Sequence, residues 1–81
     1  MSIGQQLKPA ALQPDDRILG AGREFIVVRD GNLVISSFGS ARVRALPQHL
    51  LNGSFEVITD KGILRMSADT ILRVKRAEVS A

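Results

Sequence analysis

A chain of 81 residues has room for one domain, and a domain this small hides only about 60% of the surface its unfolded chain exposes, so its interior is thin. With 44% hydrophobic residues and no cysteine, stability must come from packing, which self-association or a partner can help, because disulfides and thiolate metal sites are excluded. A net charge of +3 and a pI near 10.2 meet one criterion for nucleic-acid binding, and a cysteine-free chain suits a reducing compartment.

Residues 1–16, MSIGQQLKPAALQPDD, hold two of the three prolines and only scattered apolar residues. Each proline disfavours helical geometry in the residue before it. The stretch is therefore expected to be an extended N-terminal arm, lying either on its own domain or on a neighbour. Met1 to Leu12 has one lysine and no continuous apolar run. That pattern predicts no signal peptide and no membrane span, with the chain in the cytoplasm or in a particle assembled there.

Residues 17–76 alternate short β-rich runs with turn signals, the pattern of a small roll or barrel, and residues 77–81 are left as a C-terminal tail. Arg17 to Leu19 is a short strand ended by Gly20-Ala21-Gly22. In REFIVVRDGNLVISSF, Asp30-Gly31 sits between two apolar runs and predicts a two-residue type I′ hairpin loop. Val28 then faces Leu33, Val27 faces Val34, Ile26 faces Ile35 and Phe25 faces Ser36. Side chains alternate between faces with a period of two, so Phe25, Val27, Val34 and Phe38 share one face and Ile26, Val28, Leu33 and Ile35 the other. Both faces are apolar, and a thin domain has difficulty covering both.

ARVRAL, residues 41–46, places Ala41, Val43 and Ala45 against Arg42 and Arg44. Pro47 ends that run, and PQHLL is expected to form one short helical turn before Asn52-Gly53 breaks the chain. FEVITDKGILRMSA predicts a second hairpin turning at Lys61-Gly62, with Phe55, Val57, Thr59, Leu64, Met66 and Ala68 inward and Glu56, Ile58, Asp60, Ile63, Arg65 and Ser67 largely toward solvent. Glu56 and Arg65 become diagonal partners. Ser67 to Thr70 is a turn, and ILRVKR a closing strand with Leu72 and Val74 inward and Arg73 and Lys75 outward.

In general architecture this order resembles small SH3-like barrels, with five or six strands, one short helical turn and the arm, and it contains no motif specific to one family. Fold does not imply function.

Chemistry-bearing residues are few. His49 is the only histidine, which excludes His-pair metal sites, and no nucleophile elbow stands near it. Asp15-Asp16 reads as a turn, and Gly20-x-Gly22 lacks both the third glycine and the following helix of a phosphate loop. The expectation is a non-enzymatic protein with no cofactor, no metal and no small-molecule substrate. Two surfaces remain. The apolar set Ile26, Val28, Leu33 and Ile35 points to a docking face for a protein partner or a second copy, in a regulatory, accessory or assembly protein such as a phage virion subunit. The basic set Arg42, Arg44, Arg65, Arg73, Lys75 and Arg76 offers an alternative, contact with nucleic-acid phosphates, set against simple solvation or an acidic protein partner. No Trp or Tyr is present, and Phe25 and Phe55 are assigned to the core, so base stacking of the usual kind is absent.

Overall fold

The computed structural model describes residues 4–20 and 22–76. Met1 to Ile3 of the expected arm and the tail 77–81 lie outside the described residues. The described residues form nine strands rather than the five or six expected, with the N-terminal segment and the Gln48–His49 stretch adding strands of their own: β1 (Gln5–Leu7), β2 (Arg17–Leu19), β3 (Glu24–Arg29), β4 (Asn32–Ser37), β5 (Ser40–Arg42), β6 (Gln48–His49), β7 (Ser54–Thr59), β8 (Gly62–Ser67) and β9 (Leu72–Lys75). They make two antiparallel sheets, a four-stranded one in the order β1-β9-β2-β5 and a five-stranded one in the order β4-β3-β8-β7-β6.

The inner faces share one core. Ile18, Ala41, Leu72 and Val74 come from the smaller sheet, and Phe25, Val27, Val57, Leu64 and Met66 from the larger. Val43 joins the two sheets: its carbonyl accepts from the Asp15 N–H at 2.8 Å, its own N–H donates to Asp16, and it bridges to Thr59 of β7. Leu12, 1% exposed, adds to the same interior.

The β3–β4 hairpin has the register that its loop dictates. Val28 lies opposite Leu33, Val27 opposite Val34, Ile26 opposite Ile35 and Phe25 opposite Ser36. Asp30 and Gly31 have φ of 52° and 78°, the two positive values that a type I′ turn demands. Local chemistry here is sufficient because strand parity follows from a two-residue loop.

Elsewhere the structure corrects the sequence reading. The second hairpin turns at Asp60-Lys61 rather than Lys61-Gly62, with Thr59 opposite Gly62 and Glu56 directly opposite Arg65 rather than diagonal to it. The Thr59 hydroxyl accepts from the Lys61 N–H at 3.0 Å and donates to the Gly62 carbonyl at 2.8 Å, while Gly62 takes φ 116° just after the loop. Moving the loop by one position shifts the pairing by two residues, which preserves parity. Val57, Thr59, Leu64 and Met66 therefore still face inward.

The helical turn expected at PQHLL is a strand, because Gln48 and His49 pair with Glu56 and Phe55 and Leu50 closes a turn onto Ser54. The one helical turn among the described residues is a 3-10 turn at Pro9–Ala11, within the segment read as extended. That segment lies on its own domain: Gln5, Gln6 and Leu7 pair with Val74, Arg73 and Leu72, which makes β9 an interior strand rather than a closing one. ARVRAL shortens to Ser40–Arg42 plus the Val43 bridge.

The segment is pinned at its far end by Asp16, 2% exposed, whose carboxylate accepts from the Gln13 N–H at 2.9 Å and lies 3.6 Å from Nε of Arg76. Arg76 also donates to the Ala11 carbonyl at 2.8 Å. The glycine bend after β2 has a different cause, close approach. Gly20 donates its N–H to the Gly39 carbonyl at 2.8 Å, and a Cβ on Gly20 would stand 1.7 Å from the Phe38 carbonyl oxygen.

Gly20→Ala is therefore expected to cost about 1–3 kcal/mol or more, as forced overpacking does. Gly39→Ala, where a Cβ meets nothing within 4 Å, should leave stability unchanged or slightly raised. Urea unfolding of the two variants checks this, and equal midpoints would remove the close-approach explanation.

Candidate functional site

Each sheet keeps one face on the core, and the two outer faces differ in character. On the larger sheet, Ile26, Val28, Leu33 and Ile35 lie on one outer face as their parity requires. Ile26 is 46% exposed, Leu33 58% and Ile35 70%. Neither the N-terminal segment, which pairs with β9, nor the Leu46–Leu51 stretch, which pairs beside β7, reaches across this face.

The registers extend the apolar face beyond those four residues. Leu33 pairs with Val28, Val28 with Ile63, and Ile63 with Ile58, so an unbroken apolar row crosses four strands. The next row runs Ile35, Ile26, Arg65, Glu56 and Gln48. Its two charges cancel, since Arg65 donates to Glu56 at 2.8 Å. Ile58 and Ile63 read from sequence as solvated outward positions, and only the β3–β8 pairing shows that they continue the hairpin's apolar face.

β4 is the edge of this sheet, and five of its six residues are exposed. It carries no charge, proline or lysine, the features that usually blunt an edge.

The smaller sheet turns a basic face outward. Arg17 lies opposite Lys75 on one side and opposite Arg42 on the other, so three exposed cations form one cross-strand row. Arg73, also exposed, lies opposite Gln6 on the same face. Arg17 was missed by sequence reasoning, because a single arginine in a three-residue strand gives no signal until β9 and β5 flank it. Of the six basic residues singled out from sequence, Arg42, Arg73 and Lys75 come together here. Arg65 is on the other sheet paired with Glu56, Arg76 is drawn toward Asp16, and Arg44 lies past the end of β5 with its N–H on the Ile58 carbonyl.

Asp60 borders the row. Its carboxylate accepts the Arg42 backbone N–H at 2.9 Å. That bond, chiefly, holds its pKa below the ordinary 3.8, against some desolvation and with help from Lys61 and Arg44. Asp15, exposed and at φ 75°, stands at the entry to β2.

Other candidates resolve locally. The His49 ring tilts against Phe55 with centroids 4.9 Å apart, and Phe25 stacks on Phe38 at 4.6 Å with Arg23 over it. Among the described residues, clefts of about 280 and 190 Å³ are lined by Gln6, Arg23 and Arg73 and by Glu24, Arg65 and Thr70 among others. Both are below the size at which small-molecule sites usually begin, about 300 Å³. Among the described residues no three His, Cys, Asp or Glu side chains gather as metal ligands, and no helix is long and apolar enough to cross a membrane.

No protein-family model matches this chain, and neither a curated protein nor a solved structure matches it.

Like charges directly opposite on a sheet face are destabilising. Arg17→Gln is thus expected to stabilise the fold at low salt by less than about 1 kcal/mol, seen as a slightly higher thermal midpoint, and to lose the gain at high salt. A midpoint that falls would show that Arg17 is held by a favourable contact instead. Asp60 gives a second test. The fold favours its charged form, so its contribution is full above about pH 3.8 and disappears as pH falls through the depressed folded value. Urea midpoints of Asp60→Asn followed down to acid should show a flatter decline than those of the parent, and parallel curves would dismiss this role.

Proposed function

We propose that this chain is a non-enzymatic interaction module whose partner is a second copy of itself, packed outer face to outer face through the larger sheet. The observation that carries the reading is the uninterrupted row Leu33–Val28–Ile63–Ile58 together with Ile26 and Ile35, on a face that no segment of the described chain covers.

Two features support a second copy as the occupant. The face carries no excess of cations although the chain carries +3, since Arg65 is paired with Glu56 and the only other charge at that parity in its strands is the exposed Glu24 at the start of β3. The chain's positive charge therefore does not oppose two copies meeting there. The area also suits it. Four six-residue strands about 4.8 Å apart and about 20 Å long give a footprint of roughly 400 Å². Two such footprints, with side-chain relief added, approach the lower bound of about 1,000 Å² for a specific interface. This is the size of a reversible dimer, well short of a permanent one.

The bridged sheets fit an open SH3-like roll, an architecture that serves as a scaffold and names no partner. An assembly or regulatory role in the cytoplasm, including a place in a particle built there, is compatible with a module that pairs through one face and leaves the other free.

Sedimentation velocity over a hundredfold range of protein concentration should show a reversible monomer–dimer equilibrium. Ile35→Asp and Ile63→Asp should give monomers with unchanged far-ultraviolet circular dichroism. Val34→Lys, on the opposite face of the same strand, should leave the dimer intact. A parent chain that stays monomeric up to millimolar concentration sinks the self-association reading, and loss of the dimer in Val34→Lys alone would move the contact to the β4 edge.

A further inference from the structure

A second surface is independent of the apolar one. We propose that the outer face of the smaller sheet is a binding site for the phosphodiester backbone of double-stranded nucleic acid, built on the row Lys75–Arg17–Arg42 and extended by Arg73.

Three observations carry this. First, the row is in direct register. Arg17 has Lys75 and Arg42 as its immediate cross-strand neighbours, and all three are exposed. Directly opposite residues stand about 4.5–5.5 Å apart, so three cations are held within about 10 Å. Duplex DNA presents one charge per about 1.7 Å of its axis, so a line of that length meets several phosphates.

Second, the row is uncompensated. The ion pairs among the described residues use Arg65 and Arg76, and neither lies in it. Of the carboxylates beside it, Asp60 is engaged by the Arg42 backbone N–H and the buried Asp16 faces Arg76. A sheet gains nothing from opposing like charges, and an anion laid across them reverses the sign of that interaction.

Third, the face carries no aromatic platform. Phe25 and Phe38 stack on each other, and Phe55 packs against His49. Recognition would therefore run through the backbone, without base stacking or sequence readout. Arginine favours this use, because its planar fork meets phosphate oxygens with two parallel hydrogen bonds. The row is an exposed strand face rather than a pocket, which suits a continuous polyanion better than a free phosphate.

Fluorescence anisotropy with a labelled duplex DNA oligonucleotide, titrated at several sodium chloride concentrations, tests the proposal. Contact with three or four phosphates gives a plot of log Kobs against log salt with a slope of about −3 to −4. The double variant Arg17→Gln/Lys75→Gln should bind more weakly at low salt and flatten the slope by about 2. Arg29→Gln/Lys61→Gln removes the same charge at the two hairpin tips and should leave the slope unchanged. Circular dichroism and thermal midpoints of both variants confirm that they fold. The proposal is overturned by absence of binding at low salt, by equal losses in the two double variants, or by poly-L-glutamate displacing the duplex at equal charge concentration. The last outcome would mark a patch for acidic protein instead.

Discussion

The structure depends on a mismatch between a hairpin that is apolar on both faces and the single interior available to it. β3 and β4 carry apolar residues at both parities, yet a domain of this size has one interior. The type I′ loop at Asp30-Gly31 fixes the register, and the register commits Phe25 and Val27 to the core. Ile26, Val28, Leu33 and Ile35 then go outward as a matter of geometry, since a one-residue slip would exchange the two sets without reducing the total. The neighbouring hairpin adds Ile58 and Ile63 to the same side, so the excess gathers into one band instead of being scattered.

The smaller sheet balances this arrangement. Its inner face closes the core with Ile18, Leu72 and Val74, and its outer face holds cations whose stems leave the charges in solvent. The two outer faces thus differ in chemistry, one largely apolar with no excess of cations, the other basic and hydrated. A chain whose net charge is concentrated on one face can associate through the other without bringing like charges together.

Side chains and backbone at the connections keep the two sheets in this relation. Val43 is bonded on both sides, to the turn before β2 and to β7, so the sheets share a hinge with no free backbone at its centre. Asp16 and Arg76 tie the entry to β2 to the exit from β9, and the close approach at Gly20 fixes the other end. The N-terminal segment belongs to this frame, with Leu12 in the core and β1 covering one side of β9.

What the sequence by itself determined was local. The β3–β4 register, the inward placing of Phe25, Val27, Val57, Thr59, Leu64 and Met66, and the Asp15-Asp16 and Ser67–Thr70 turns follow from residues within a few positions of one another, where turn chemistry and a period of two leave little choice. Val34 has the inward parity but stays exposed, because β4 is the sheet edge. The loop of the second hairpin escaped that reading because the Thr59 hydroxyl, a contact of three residues' reach, outweighed the preference of glycine for the loop itself. Gln48 and His49 looked helical in isolation and became a strand because β7 offered them partners. Only the tertiary structure placed Arg17 between Lys75 and Arg42, and Ile63 beside Val28, because cross-strand rows are set by strand order. Residues 17, 42 and 75 are far apart along the chain, and no local pattern records that β2 lies between β5 and β9.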